Sequence, residues 1–289
     1  MRLFRFLTPM SKVGWQMDQS VGTSKGAGER TFICLMRDSA IELVLTCVLL
    51  FGVTSAVRWI IGPSPISRAI PLIHVQLLAV GGAVGLLLAG LILSPPGKMS
   101  GGHVNPAISL AMWRFGVFPG AGVFPYSIAQ LLGSVFGVIA AREVWGPVVS
   151  EPPVMYAVLQ PGPGWTTWRL FIAEALGMAV IIFVVGACLA VRPLSSFVPW
   201  IVGGLVGAGI ALLGTTTGGS LNPARQFGPA AVAGRTEFLW VYLIAPMVGA
   251  VLAARLLGSI QSGRPVLTYR LCGILRHSQT RTAEPDEIS

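Results

Sequence analysis

Charged residues are scarce in this 289-residue chain: Asp, Glu, Lys and Arg together make up 11% of it, against 53% apolar residues. A soluble domain carries about 25% charged residues, so a water-soluble globular fold is excluded and the chain is read as membrane-embedded. The length would accommodate two soluble domains, but hydropathy overrides that prior. Cysteine is scarce and poorly spaced for chemistry. Cys34, Cys47, Cys188 and Cys272 form no CxxC pair, and two of them lie inside apolar runs. Free thiols are expected, with neither a disulfide framework nor a metal site. No nucleophile–base or metal constellation appears, so neither an enzyme nor a cofactor is expected. The first 37 residues hold no apolar run long enough for a signal-peptide core. The net charge of +9 raises the question of nucleic acid. The Lys and Arg residues sit mainly in tails and loops, however, so no nucleic-acid partner is expected.

What the chain does have is apolar length. Six stretches approach the ~20 residues needed to cross a bilayer: Ala40–Val57, Ile70–Leu93, Val123–Ala141, Leu170–Val191, Phe197–Leu213 and Phe238–Leu257. Two shorter pieces, Val104–Phe118 and Leu221–Ala233, follow the second and fifth. They are too short to cross and are expected to re-enter, with their backbone covered by protein or by a water-filled cavity. Residues 1–37 and 259–289 are read as polar tails, the second with an acidic end at Glu284, Asp286 and Glu287. Met36 is an alternative start. Six spans put both tails on one side. If that side is cytoplasmic it collects fourteen Lys and Arg residues against five on the other, which satisfies the positive-inside rule and leaves out Arg225.

The chain also repeats itself. "HVNPA" ends at Ala107 and "SLNPA" at Ala224, an offset of 117; "AQLLGSVFG" from Ala129 resembles "APMVGAVLA" from Ala245, an offset of 116. Glu42 and Glu174, one acid in each of spans one and four, are offset by 132 because the first copy carries a longer loop near Gly62–Ser67. Three spans plus one half-span are thus duplicated, as repeat one (38–145) and repeat two (168–258). An odd number of spans per copy makes the repeats inverted, so the half-spans approach each other from opposite faces.

Asn followed by Pro is a helix-start signal, since Asn caps and Pro suits the first helical position. Asn105-Pro106-Ala107 and Asn222-Pro223-Ala224 are therefore expected to begin two half-helices that meet near the midplane. Each helix start carries about +0.5 elementary charge, which repels cations but not neutral hydroxylated molecules. The glycine-containing stretches before the caps, "SGGH" and "TGGS", permit turns that expose carbonyls along a pore; Gly101, Gly102, His103, Gly218 and Ser220 are the candidates. His103 is expected to brace its loop. Glu42 and Glu174 are read as buried acceptors for the backbone N–H groups of the adjacent re-entrant loops, because equivalent positions in two repeats suit a structural role better than proton coupling. Gly81, Gly82, Gly85, Gly133, Gly137, Gly203, Gly204 and Gly207 are expected to permit close helix packing.

With "SGGHVNPA", "SLNPARQFGPA", the two intramembrane Glu residues, "AQLLG" and "APMVGA" in view, the sequence resembles the aquaporin and glycerol-facilitator family, the major intrinsic proteins, over about residues 38–258. The resemblance implies an all-α membrane fold of six transmembrane helices and two half-helices, assembled as a homotetramer with one pore per subunit. It also implies passive conduction without a cofactor, in the lipid of the cell membrane with both termini cytoplasmic. It places Arg225 at a selectivity filter with Gly219, Ile210 and, on the second span, either Gly85 or Val84, depending on how the unusual "SPPG" at Ser94–Gly97 shifts the register. That set lacks the Phe and His of water-selective members and the Trp and Phe of glycerol facilitators. It looks most like the wide filter of plant nodulin-type members. Gln226 is neither the Ser of water channels nor the Asp of glycerol facilitators. Water and small neutral solutes (glycerol, urea, boric and other metalloid acids) are the expected cargo. A strictly water-selective channel, an ion-coupled secondary transporter and a structural junction protein are the rival readings.

Overall fold

The structure is a computed structural model, and it describes residues 24–261 and 265–274. In chain order the helices are α1 (Ser24–Ile60), α2 (Pro65–Ala69), α3 (Ile73–Leu93), α4 (Pro95–Ser100), α5 (Pro106–Arg114), α6 (Gly120–Trp145), α7 (Thr167–Leu189), α8 (Arg192–Ser195), α9 (Val198–Leu213), α10 (Pro223–Ala233) and α11 (Leu239–Ile260). No strand occurs among the described residues. Five helices (α1, α3, α6, α7 and α11) are long and apolar enough to cross a membrane, and α9 is a shorter apolar helix of 16 residues. Together they make the six spans expected, with α5 and α10 as the half-helices.

The inverted repeat governs the packing. The pairs α1–α6 and α7–α11 are equivalent, as are α6–α10 and α11–α5, while α3 and α9 cross each other at the centre. Glycine makes these crossings close. A Cβ on Gly81 would strike the Gly207 carbonyl, and one on Gly85 the Gly203 carbonyl, so α3 and α9 meet backbone to backbone. In the same way Gly133 lies against the Leu43 carbonyl and its repeat mate Gly249 against the Ala175 carbonyl. Small residues at such sites let apolar helices gain dispersion contacts where lipid supplies no hydrophobic drive. Gly82 and Gly204 have no atom within 4 Å of the position a Cβ would take, so they are not part of that contact.

Two boundaries differ from those expected. The first helix begins at Ser24, so residue 37 marks no structural break. The end of the chain is not all tail either: residues 265–274 fold back onto the bundle, with Val266, Leu271 and Cys272 buried. Leu267 N donates to Leu189 O (3.3 Å) and Leu271 N to Gly101 O (3.0 Å), so this segment ties the two repeats together. Polar composition alone gave no hint of it. Residues 1–23, and the acidic end of the chain, lie outside the described residues.

Candidate pore

Each half-helix starts at its Asn-Pro. Asn105 Oδ1 accepts from Ala107 N (2.9 Å), and Asn222 Oδ1 accepts from Ala224 N (2.9 Å). These are side-chain caps on otherwise unpaired first-turn N–H groups. The amide nitrogens reach across the repeat boundary: Asn105 Nδ2 donates to Leu221 O (3.0 Å) and Asn222 Nδ2 to Val104 O (2.9 Å). The two helix starts therefore meet, with their dipoles opposed.

The approach to each cap is a strained turn, copied in both repeats. Gly101 and Gly102 have φ of 107° and 66°, and Gly218 and Gly219 have 85° and 63°. The residue before each Asn is left-handed although it carries a side chain: Val104 at φ 43° and Leu221 at 50°. Such a conformation costs about 1–3 kcal/mol per residue and persists only where its surroundings hold it. Here a buried carboxylate does so. Glu42 accepts from His103 N (3.0 Å) and Val104 N (2.6 Å), and Glu174 from Ser220 N (3.1 Å) and Leu221 N (2.7 Å). A tyrosine completes each copy: Tyr126 OH donates to Ser100 O (2.7 Å) and Tyr242 OH to Thr217 O (2.6 Å). A hydroxyl donates to each acid as well, Ser100 Oγ to Glu42 (2.7 Å) and Thr217 to Glu174, and repeat one adds one more donor to Glu42, Gln130 Nε2 (2.8 Å). At the repeat offset of 116, Gln130 corresponds to Pro246, which has no such group.

Where the half-helices meet, a cavity of about 40 Å³ runs past Asn105, Asn222, Arg225, Gly219, Ile210 and Val84. Leu49, Val53, Leu88, Ile181 and Val202 complete an apolar wall. That is room for a few water molecules in file. One wall is polar and the other is not, so a passing molecule exchanges hydrogen bonds on one side only.

Gly85 does not line this cavity, a correction to one of the two registers considered. Its face is packed on Gly203 of α9, and Val84 takes the lining position. The reason is the short helix α4 at Pro95–Ser100. It lies between α3 and the cap, with Ser94 capping it by accepting from Gly97 N (3.2 Å), and Val84 stands 21 residues before Asn105 where the family pattern counts 20. One residue on a helix is a rotation of about 100°, enough to exchange a lining residue for a packing one. The carbonyl candidates divide similarly. His103 and Ser220 line the cavity, whereas Gly101, Gly102 and Gly218 do not, and the Gly101 carbonyl is already engaged by Leu271 N. His103 sits in a buried knot: Nδ1 lies 3.0 Å from Ser109 Oγ and Nε2 3.0 Å from Tyr269 O, among the rings of Phe118, Tyr126 and Tyr269.

Arg225 Nη1 donates to Ala157 O (2.8 Å). That carbonyl belongs to a turn in which Met155, Tyr156 and Ala157 are all left-handed, at φ 42°, 58° and 60°. The next residue on α10, Gln226, pairs with the backbone of Leu159 through both ends of its amide: Oε1 accepts from Leu159 N (3.0 Å) and Nε2 donates to Leu159 O (2.9 Å). The family resemblance implied that loop carbonyls hold Arg225, but nothing in the composition of the segment between the repeats marks Ala157 as the one.

A family model for the major intrinsic protein family matches residues 30–257. The chain belongs to that family. Among the relatives of this family member is the probable aquaporin NIP7-1 of Arabidopsis thaliana, 31% identical over 252 residues, covering 84% of this chain and 82% of that protein. Aquaporin AqpM of Methanothermobacter marburgensis is 38% identical over 186 residues, 61% of this chain and 74% of that one. The X-ray structure of the aquaglyceroporin from Plasmodium falciparum superposes with a TM-score of 0.61 over 76% of this chain and 94% of that one; at 22% identity it shows the shared fold. This major intrinsic protein is thus a passive membrane channel for water, small solutes or both, in a family of channels rather than enzymes.

Proposed function

We propose that the channel passes water together with small neutral solutes (glycerol, urea, boric and other metalloid acids) and excludes ions and protons. The observation that carries this reading is the lining of the cavity beside Arg225. Val84, Ile210 and Gly219 line it with Arg225, no Phe, Tyr or Trp joins them, and the one His of the lining, His103, is tied to Ser109 and Tyr269. Val84, Ile210 and Gly219 carry neither a ring nor a polar side-chain group, so of these four positions only Arg225 can reject a near-isostere by hydrogen bonding, and specificity is loose. Arg225 and the Asn105 and Asn222 amides supply donors to hydroxyl and carbonyl oxygens along one wall. The opposed helix starts and the Arg225 charge make the electrostatic barrier to cations and protons that is general for aquaporin-type pores.

The Asn-Pro-Ala boxes are the centre of the path and Val84, Ile210, Gly219 and Arg225 its filter. One such path runs through each subunit of a homotetramer in the cell membrane, with both termini cytoplasmic as the distribution of basic residues supports. Ion coupling is disfavoured because Glu42 and Glu174 are both engaged by backbone N–H groups. Stopped-flow measurements on proteoliposomes, with water, glycerol, urea and boric acid, test the reading. All four are expected to cross faster than in empty vesicles; water flux with exclusion of all three solutes would restrict it to a water-selective channel.

A further inference from the structure

We propose that Gln226 is a positioning residue for selectivity: by pairing with the backbone of Leu159 it holds the turn whose Ala157 carbonyl fixes Arg225. This rests on Arg225 acting as the filter cation.

Few hydrogen bonds hold Arg225. Its guanidinium makes one hydrogen bond, Nη1 to Ala157 O, and Nε has no partner among the described residues. The place of the cation in the pore therefore depends on where one backbone carbonyl points. That carbonyl ends three successive left-handed residues, none of them glycine, a conformation that relaxes unless it is held. The turn's own bonds, Ala157 N to Val154 O (2.7 Å) and Val158 N to Met155 O (3.0 Å), close it locally; Val154, Tyr156 and Ala157 pack into the core and Gly162 N donates to Thr216 O (2.7 Å) farther on, but none of these fixes the segment to the helix that carries Arg225. Gln226 does. Its amide is buried, 1% exposed, and makes a two-bond ring with Leu159, two residues beyond Ala157. Arg225 and Gln226 are consecutive on α10, so one rigid helix grips the same turn at two points. Neither Ser nor Asp has both the reach and the paired donor and acceptor for that ring.

Held this way, the guanidinium lies against the wall and leaves lumen beside it. With the Leu159 ring lost, the turn relaxes, Ala157 O withdraws, and the long Arg225 side chain swings into the path. A molecule of several heavy atoms is obstructed more than water.

The test is a double-mutant cycle in proteoliposomes, read as water permeability and as the ratio of boric acid or glycerol permeability to that of water. Gln226→Met keeps the volume of the side chain and removes both bonds. In the Arg225 background it is expected to lower water flux and to lower the solute-to-water ratio about fivefold, a coupling ordinary for residues in contact. In an Arg225→Val background the same substitution is expected to change neither. Gln226→Asn keeps the amide but is one methylene short; it gives an intermediate loss and serves if the Met variant does not assemble. The same loss in both backgrounds would show a merely structural residue, and no loss in either would show no role; both overturn the proposal. A wild-type channel that passes water but no solute would sink the wide-filter reading alone, and the cycle would then be scored on water flux. A wild-type protein that conducts nothing overturns both.

Discussion

Asn105 and Asn222 each donate their side-chain amide to the carbonyl of the residue preceding the other, Leu221 for Asn105 and Val104 for Asn222. The same two carbonyls belong to the left-handed residues held by Glu174 and Glu42 through their N–H groups. Acid, strained turn, cap and opposite cap thus form one closed circuit through the middle of the bundle.

The circuit predicts an order of stability losses. Glu174→Ala leaves Ser220 N and Leu221 N without their acceptor. Hydrogen bonds to a charged group contribute about 1.5–3 kcal/mol each, so a loss of at least about 3 kcal/mol is expected. Each variant also strands a hydroxyl, Ser100 Oγ or Thr217, but Glu42→Ala strands one further donor, Gln130 Nε2, and is expected to cost more. Thermal unfolding in detergent should rank wild type above Glu174→Ala above Glu42→Ala. An unchanged melting temperature for either variant would contradict the structural role given to these acids.

Replacing Arg225 by Val removes the one fixed cation from the cavity. Neutral solutes are expected to cross at or above the wild-type rate, while a proton or cation leak appears that wild type lacks. A pH-sensitive dye inside proteoliposomes reports it. A variant as tight to protons as wild type would show that the half-helix dipoles suffice without Arg225.

The register of α3 can be read from three variants. Val84→Phe with Ile210→His puts two rings into the constriction and is expected to abolish solute uptake while water still passes. Gly85→Phe should do something else: its ring would collide with the Gly203 backbone, so the yield of folded protein falls rather than the width of the pore. A well-folded Gly85→Phe channel with normal water flux and no solute flux would return the filter position to Gly85.

Removing residues 262–289 strips the segment that occupies Gly101 O and lies against His103 Nε2 through Tyr269 O. Two buried polar groups lose their partners, at about 1–3 kcal/mol each. A lower melting temperature in detergent is expected, with the re-entrant loop before Asn105 more open to proteolysis. Equal stability of the truncated and full chains would mean that residues 265–274 merely rest on the bundle.

The spans, the duplication and the two helix starts were legible in the sequence because each rests on local chemistry. Apolar length reports the bilayer, Asn-Pro reports a helix start, and an offset of 116 or 117 reports descent from one copied unit. Glu42 and Glu174 could be read as acceptors for the same reason, since matched acids in inverted copies face matched loops.

What tertiary structure decided is whatever depends on rotation about a helix axis or on contact between distant segments. Counting back from Asn105 allowed Gly85 or Val84, and only the packing of α3 on α9 shows Val84 turned to the cavity and Gly85 to Gly203. The partner of Arg225 lies 68 residues away and offers a backbone carbonyl, which every residue has and no composition marks. The docking of residues 265–274 is of the same kind: Leu271 N and Tyr269 O are main-chain atoms, invisible as a pattern, and their partners Gly101 and His103 come within reach only after the bundle has closed.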